Sequence, residues 1–388
     1  MLENVKKIDK KLLAMVGVVL VFIILIIAII ILTSLTTGGS ISFEKIEEKL
    51  ETAAQSYCKD NDSLLPKEVG ESTEIESSTL VSNGYIKDLS EYTDEDVVCS
   101  AKVIVAKTMD GYDYVANLDC DDDYETIFLA DKLIEEVVTS GDGLYAMEDV
   151  VTPGTKVNLG IDEDGYDLAT NELMSGYIYR GENLKNYIQL DGETFRIVKI
   201  DGNKDFSVTT IKSKGNGSYD NRYNDEKGQN AGINDYTISR AYENITGIYN
   251  SESKSGQIIQ KAAPKNICIA SRNNDDTATD GSIECREVMK NQFYSLIPVF
   301  DIMNASLSEK CDTTTSKDCS NYNFLSTSVT YWTLTPNDQN TYSAYKMSGS
   351  ISSSFTNNDL HYKVLYYLSN RLVYVSGTGT KDDPYIVK

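Results

Sequence analysis

Histidine is almost absent from this sequence, and its scarcity limits the catalysis that the chain could perform. A serine or cysteine nucleophile that depends on an imidazole base could use only His361, which we expect to be an ordinary residue at a strand edge. The sequence also lacks a P-loop and a dinucleotide-binding fingerprint. We therefore predict that the protein is not an enzyme. A surface glycoside hydrolase is the alternative, because many acidic positions could supply its paired carboxylates.

Basic residues are scarce beside acidic ones, at 36 Lys and Arg against 59 Asp and Glu. Nucleic acids and anionic lipid surfaces are bound through clustered Lys and Arg. This balance therefore argues against nucleic acid as a partner. The surplus of negative charge is typical of an exposed protein that stays in solution through charge repulsion.

Charged and polar side chains are missing altogether from the run between Leu12 and Leu32. At about 1.5 Å per residue, a helix of this length crosses the roughly 30 Å hydrocarbon core of a bilayer. Four lysines lie between residues 6 and 11, and the next basic residue is Lys45. Because Lys and Arg stay on the cytoplasmic side, we predict a single-pass plasma-membrane protein with a cytoplasmic tail over residues 1–11 and an extracellular remainder. A cleaved signal peptide is the alternative, although its apolar part usually has only about 7–15 residues.

All seven cysteines follow the apolar run, so they would face a compartment in which disulfides persist. No C-x-x-C spacing supports zinc binding. Two pairs enclose local loops, and a third pair could sit on neighbouring strands. We predict the bridges Cys268–Cys285, Cys311–Cys319 and Cys99–Cys120. Cys58 is left over, either as a free thiol or as a link between chains, which keeps a homo-oligomer open.

The segment 41–125 predicts a small α+β module. Phe43, Ile46, Leu50, Ala53 and Tyr57 recur at helical spacing, which predicts an amphipathic helix. The run VVCSAKVIVAKTMDGYDYVANLDC then predicts a hairpin around an Asp-Gly turn. The phrases LVSNGYIKDL and YVANLDCDDDYET resemble pseudopilin-like heads of low-GC Gram-positive bacteria. Residues 126–174 are acidic and rich in turns, and we predict that they form a connector.

The segment 175–388 predicts a second, larger α+β module. Three strand-like runs separated by Asp-Gly turns, from GYIYRG to FSVTTIKS, predict an antiparallel meander. TISRAYENITGIYN predicts a helix, and the runs from YWTLTP to the end predict further strands.

Several phrases in this module carry a family resemblance: YIYRG, NYIQLDGETFRIVKI, IPVFDIMNAS, CSNYNFL, YWTLTP and VLYYLSNRLVYVSGTGTKDDPYIVK. They resemble a domain of unknown function in surface proteins of gut Firmicutes and Mollicutes relatives, which looks related to the C-type-lectin-like fold of formylglycine-generating-enzyme-type domains. The resemblance implies a mixed α+β domain with long polar loops above a small antiparallel sheet. Phe195 stands where the family usually has Trp, and YKVLYYL stands where it has a V-R-P-V run. Since no cysteine follows Cys319, the formylglycine-generating activity should be absent.

One acidic loop carries a partial calcium signature. Asp276, Asp280 and Glu287 fit the spacing D-x-x-x-D-G-x-I-x-x-x-E, which lets carboxylates wrap a hard cation. Ala278 occupies a position where Asp or Asn belongs. The alternative is an exposed acidic loop that binds no metal.

The predicted ligand-contacting residues surround the strand YWTLTP. Exposed aromatic rings can stack on sugars, whereas a tryptophan inside a strand is more often part of the core. Polar loop residues directly after the strand are the stronger candidates. The residues are Tyr331, Trp332, Asn337, Asp338, Asn340 and Tyr342.

Together these patterns predict a membrane-anchored surface protein that binds a glycan or protein ligand as an adhesion module. The alternative is a structural, pilin-like component of an envelope assembly.

Overall fold

The computed structural model describes residues 40–154, 175–252 and 256–388, and it is a mixed α+β structure built mostly from strands. This confirms the mixed α+β class that the sequence predicts. The cytoplasmic tail and the apolar run predicted at residues 12–32 lie outside the described residues. No helix within the described ranges is long and apolar enough to span a bilayer.

Helices account for a small part of the structure. The α-helices are α1 (Phe43–Asp60), α2 (Ser77–Ser82), α3 (Leu129–Ile134), α4 (Met147–Val150), α5 (Arg240–Glu252), α6 (Gln257–Gln260) and α7 (Val299–Asn304). Single 3₁₀ turns cover Asp62–Leu64, Leu89–Glu91, Tyr236–Ile238, Glu284–Arg286 and Lys317–Ser320.

Strands occupy most of the rest. The first eleven are β1 (Ser72–Glu76), β2 (Ser100–Lys107), β3 (Tyr112–Asp119), β4 (Gly143–Ala146), β5 (Gly176–Arg180), β6 (Tyr187–Leu190), β7 (Glu193–Asp201), β8 (Phe206–Thr210), β9 (Gly215–Ser218), β10 (Lys265–Cys268) and β11 (Val288–Gln292). The others are β12 (Tyr294–Leu296), β13 (Tyr331–Pro336), β14 (Ser343–Met347), β15 (Ile351–Phe355), β16 (Asp359–Tyr362), β17 (Val364–Leu368), β18 (Tyr374–Ser376) and β19 (Tyr385–Val387).

The chain divides into two compact units. The first contains the described residues up to 63 together with 74–104 and 114–125. The second contains 64–73, 105–113 and everything described after residue 125. The module predicted over 41–125 therefore contributes two short segments to the larger unit.

The long helix of the first unit is the predicted amphipathic one. Ile46, Leu50 and Ala53 of α1 are at most 4 % exposed, so the apolar stripe lies in a core. The ring of Phe43 stacks on that of Tyr124 with 4.8 Å between centroids, which attaches the helix to the segment after β3. The predicted hairpin is formed by β2 and β3, the second and third strands of the sheet β1-β2-β3.

The second unit is organised by a nine-stranded sheet. Its main path runs β12-β17-β8-β7-β6-β19-β18, while β5 pairs with β7 and β4 pairs with β5. The predicted meander is β6-β7-β8, paired antiparallel throughout. Its first turn has Asp191 and Gly192 at φ of 51° and 79°, the two positive values that a type I′ hairpin turn requires.

A five-stranded sheet, in the order β15-β14-β13-β16-β9, completes the second unit. Its β13 pairs antiparallel with β14 and parallel with β16. The predicted helix is α5, whose Ala241, Ile245 and Tyr249 recur every four residues and are buried. Each large apolar side chain buried in this way contributes about 1.5–3 kcal/mol.

The predicted connector over 126–174 is wrong in its first half. Residues 126–150 belong to the second unit, where β4 extends the large sheet by pairing with β5. The reason is apolar burial: Leu129, Leu133 and Leu144 are at most 2 % exposed. Residues 155–174 lie outside the described residues.

The structure contains the three predicted disulfides, Cys99–Cys120, Cys268–Cys285 and Cys311–Cys319. The remaining Cys58 is a free thiol whose side chain is 0 % exposed. Burial raises the pKa of this thiol, while a hydrogen bond with Tyr114 acts in the opposite direction. A disulfide between chains through Cys58 would require α1 to release a core residue.

We therefore predict that Cys58 is unreactive in the folded protein. A buried thiol with a raised pKa supplies little accessible thiolate at neutral pH. Titration of the full-length chain with a thiol reagent in detergent should detect no thiol before denaturation and one thiol per chain afterwards. Rapid reaction of the native protein, or a reducible dimer on a gel that Cys58→Ala removes, would contradict this expectation.

Candidate functional site

Three loop segments of the second unit meet and form a surface that we call the loop face, defined by residues 219–235, 337–342 and 355–357. Backbone hydrogen bonds link them, because Asp220 N donates to Thr356 O and Asn234 N donates to Thr341 O. Two of the segments directly follow β9 and β13, so the strands fix where the loops begin.

The carboxylate of Asp220 closes the longest of these segments. Its side chain is 0 % exposed, and Oδ2 accepts a hydrogen bond of 2.7 Å from the backbone N of Ile233. Oδ1 accepts one of 2.9 Å from Nε of Arg222. A buried carboxylate is stable only when its oxygens are paired, and here that pairing joins the two ends of a long loop.

Two asparagine side chains then hold the loops to each other. Nδ2 of Asn224 donates to the carbonyl oxygens of Gly232 at 2.8 Å and Thr341 at 3.1 Å. Nδ2 of Asn234 shares its two hydrogens among the carbonyl oxygens of Asn337, Asn340 and Ser343, at 2.8, 2.8 and 2.9 Å. Apart from Ser343 at the start of β14, the accepting oxygens belong to loop residues, so the amides satisfy backbone groups that no strand pairs.

The outer surface of the loop face combines aromatic and polar groups. The rings of Tyr342 and Phe355 lie 5.8 Å apart, and Phe355 is 51 % exposed. The ammonium of Lys227 lies 4.8 Å from the Tyr342 ring centroid and 5.4 Å from that of Phe355. Oε2 of Glu226 accepts hydrogen bonds from Thr341 Oγ1 and N, which lower the pKa of that carboxyl and keep it ionised.

Only part of the predicted ligand set reaches this surface. Asp338 is exposed, and Asn340 and Tyr342 are partly exposed. Asn337 is 0 % exposed, and its Nδ2 donates to Oδ1 of Asn274 at 3.1 Å. Asn337 therefore supports the loop from within and does not contact a ligand.

The prediction that Tyr331 and Trp332 contact a ligand is wrong. Both side chains are 0 % exposed and belong to the apolar core, where the Trp332 ring packs edge-on against Tyr219 with 5.6 Å between centroids. Nε1 of Trp332 donates to Gly217 O at 3.0 Å, and the Tyr331 hydroxyl donates to Leu325 O at 2.8 Å. Each ring is therefore a core residue with its polar atom satisfied.

The predicted calcium residues do not come together either. Among the described residues, no three His, Cys, Asp or Glu side chains are placed to hold a metal ion. The carboxylate of Asp280 accepts hydrogen bonds from the backbone N of Gly154 and Ser282, at 2.9 and 3.0 Å. Asp276 accepts one of 2.8 Å from Asn273 N, so both carboxylates fold the loop back on itself. Glu287 lies just before β11, where its backbone O accepts from Ile269 N.

The loop is instead built around an internal cation, the guanidinium of Arg272. Arg272 and Glu284 are both 0 % exposed, and Nε donates to Oε1 of Glu284 at 2.9 Å. The same guanidinium donates to the backbone oxygens of Asp276 and Ala278. Burial raises the pKa of Glu284 to about 7, and the Arg272 charge acts against that rise. The guanidinium of Arg272 thus binds backbone oxygens of this loop, which are then not available to coordinate a calcium ion.

A hydroxyl and an imidazole meet elsewhere, but without a third partner. Oγ of Ser213 lies 3.0 Å from Nδ1 of the exposed His361, which belongs to β16. No contact in the described part of the chain joins this imidazole to a carboxylate. The orienting acid of a serine-histidine triad is therefore missing from this pair.

Sequence reasoning missed Asp220, Asn224, Asn234, Lys227 and Phe355. Besides local bonds to Arg222 and Lys227, the carboxylate and the two amides contact residues between 8 and 117 positions away, and no local spacing marks such pairs. Phe355 ends β15 after three serines, at an exposed position of the strand. A large aromatic residue after a polar run is the one local pattern that could have indicated this surface.

Removing the cation inside the predicted calcium loop should destabilise the protein strongly. Arg272→Met leaves Glu284 buried without its partner, which costs about 3–5 kcal/mol, whereas Arg272→Met with Glu284→Leu should recover most of that loss. Urea unfolding of the full-length single and double variants in detergent measures the two changes in the free energy of unfolding. If calcium raised the melting temperature of the wild type and Asp276→Asn abolished the rise, the loop would be a metal site after all.

Removing the amide of Asn234 should loosen the loop face without unfolding the sheets. Asn234→Ala leaves the carbonyl oxygens of Asn337 and Asn340 without their donor, a loss of about 1–3 kcal/mol. Chymotrypsin should then cleave the full-length chain near Tyr342 faster than in the wild type. Asn357→Ala is the matched control, since that exposed amide makes one bond of 3.2 Å to Asn230 O. Equal cleavage of the two variants would show that Asn234 does not hold the loop.

Comparisons with known proteins identify no relative of this chain. No protein-family model matches the sequence, and no curated protein or solved structure matches it. A function for the chain therefore rests on the loop face and the chemistry of its residues.

Proposed function

We propose that the protein is a membrane-anchored surface protein whose second unit binds an extracellular glycan through the loop face. The apolar run at residues 12–32 would be the anchor, with the N-terminus in the cytoplasm. Three disulfides are compatible with an extracellular location, since such bonds persist in oxidising compartments. The acidic surface suits an exposed domain.

The exposed ring pair of Tyr342 and Phe355 carries this proposal. A sugar ring presents an apolar C–H face and many hydroxyls, so its binding needs an aromatic surface beside fixed donors and acceptors. Asp338 and Asn340 lie in the same loop as Tyr342 and reach the surface, and the ammonium of Lys227 lies over both rings. Because the amides of Asn224 and Asn234 hold the loops, ligand binding would require little ordering of the site.

The resemblance to C-type-lectin-like domains supports the same view, because that fold places long polar loops where ligands bind. Fold alone does not specify a ligand, so the loop face has to account for the chemistry. The structural, pilin-like alternative depended on the amphipathic helix. The apolar stripe of α1 is buried within the chain, at 0 % exposure for Ile46 and Leu50, so it does not offer a free face for a neighbouring subunit.

The full-length chain in detergent should bind a subset of glycans on an array, and the loop face should set the affinity. Phe355→Ala and Tyr342→Ala should each weaken binding to the best glycan about tenfold, the effect of losing one well-packed aromatic contact of about 1.4 kcal/mol. The measurement is the dissociation constant from titration with that glycan.

Val375→Ala provides the matched control, since Val375 is an apolar residue that is 53 % exposed on β18, outside the loop face. Its affinity should equal that of the wild type. Absence of binding to any glycan, or equal affinity in all the variants, would contradict the proposed function.

A further inference from the structure

Lys363 is a buried lysine that no carboxylate neutralises. Lys363 is only 5 % exposed, and its ammonium forms no ion pair within the described part of the chain. The other buried basic residues there behave differently, since each faces an acid at 3.4 Å or less. The pairs are Lys199 with Asp301, Lys261 with Asp113, Arg272 with Glu284 and Arg371 with Asp113.

Arg196 is a second cation without an acid, and it lies near Lys363. Its Nε donates to Oδ1 of Asn186 at 2.9 Å, while Nη2 is buried and has no hydrogen-bond acceptor among the described residues. The guanidinium lies 4.5 Å from the ring centroids of both Tyr187 and Phe324. Two rings and one amide therefore fix the orientation of a guanidinium whose remaining donors meet no acceptor in the part of the chain that the structure describes.

The strand register brings the two cations onto one face of the large sheet. Arg196 of β7 pairs with Thr209 of β8, and Thr209 pairs with Leu365 of β17. Paired residues point to the same face, and Lys363 directly precedes β17, two positions before Leu365, so continuing the strand alternation by one residue places it on that face as well. The ammonium of Lys363 lies 5.4 Å from the ring centroid of Tyr331. Burial and the Arg196 charge together lower the pKa of Lys363 to about 8.

Such an arrangement is unfavourable for the empty protein. A buried charge is normally paired, and two like charges close together oppose each other. The chain has 59 acidic residues, yet none of the described ones pairs with either cation. The nearest acid along β7, Glu193, is instead paired with Lys214.

We propose that Arg196 and Lys363 form a binding site for an oxyanion, a carboxylate or sulfate group, held between the guanidinium and the ammonium. The guanidinium provides directed donors and the ammonium provides a compact charge, which together match the oxygens of such a group. The rings of Tyr187 and Phe324 form the walls. The group can belong to a free ion or to an acidic sugar. The site does not depend on the loop face.

The test follows the thermal unfolding of the full-length chain in detergent by the fluorescence of its single tryptophan, Trp332. The probes are sulfate, acetate, glucuronate and neutral glucose, with chloride keeping the ionic strength constant. Sulfate stabilises proteins generally by exclusion from their surface, so the difference between wild type and variants is the informative quantity. A specific site gives a shift that saturates with probe concentration.

Lys363→Met and Arg196→Gln should each weaken the saturable response to sulfate and glucuronate at least about tenfold, as expected when one charge-assisted hydrogen bond is lost. Lys363→Met should also melt at a higher temperature than the wild type without probe, because it removes an unpaired buried charge. A purely structural lysine would give the opposite sign. Lys212→Met, at an exposed position, is the control and should respond as the wild type does.

The outcomes separate clearly. Glucuronate binding at least tenfold more tightly than acetate would support the site and identify an acidic sugar as its source. Equal responses to acetate and glucuronate, both lost in Lys363→Met, would support the site for a free oxyanion. Identical, non-saturating responses in the wild type and both variants would overturn the proposal, and so would saturable binding that persists in Lys363→Met.

Discussion

Hydrogen bonds from inward-facing polar side chains to loop backbone are the interaction on which the second unit depends. Its long loops cannot pair their own backbone groups as strands do, and buried unpaired groups are costly. Asp220, Asn224 and Asn234 supply the missing partners, and through them the loop face keeps one shape. The glycan-binding proposal depends on this rigidity, because a flexible loop would lose entropy on ordering around its ligand.

Buried charged side chains also need partners, as the buried backbone groups do. The acidic chain directs most of its charge outward, and the buried bases of the described residues face acids, as Arg272 faces Glu284. Such pairs contribute little net stability but become expensive when one partner is removed, so they fix the position of a loop more than they strengthen the fold. Lys363 and the partly buried Arg196 have no acid partner among the described residues, which is why we propose that they bind a ligand.

The sequence predicted features whose cause is local. The period of α1, the Asp-Gly turns of the meander and the short spacings between cysteines each depend on nearby residues, and the structure contains all three. Long-range features were not predictable in the same way. Trp332 is buried because distant residues such as Tyr219 pack against its ring, and the acidic loop closes on Arg272, which its carboxylate spacing does not reveal.

The central claim is that buried side chains hold the loop face rigid, and amide hydrogen exchange of the wild-type protein tests it most directly. The informative amides are those of Ile233 and Lys227, which donate to the side chains of Asp220 and Asn224. We expect the amides of Ile233 and Lys227 to exchange as slowly as the amides in β13 and β14. Exchange at the rate of an unprotected chain at these positions would contradict it.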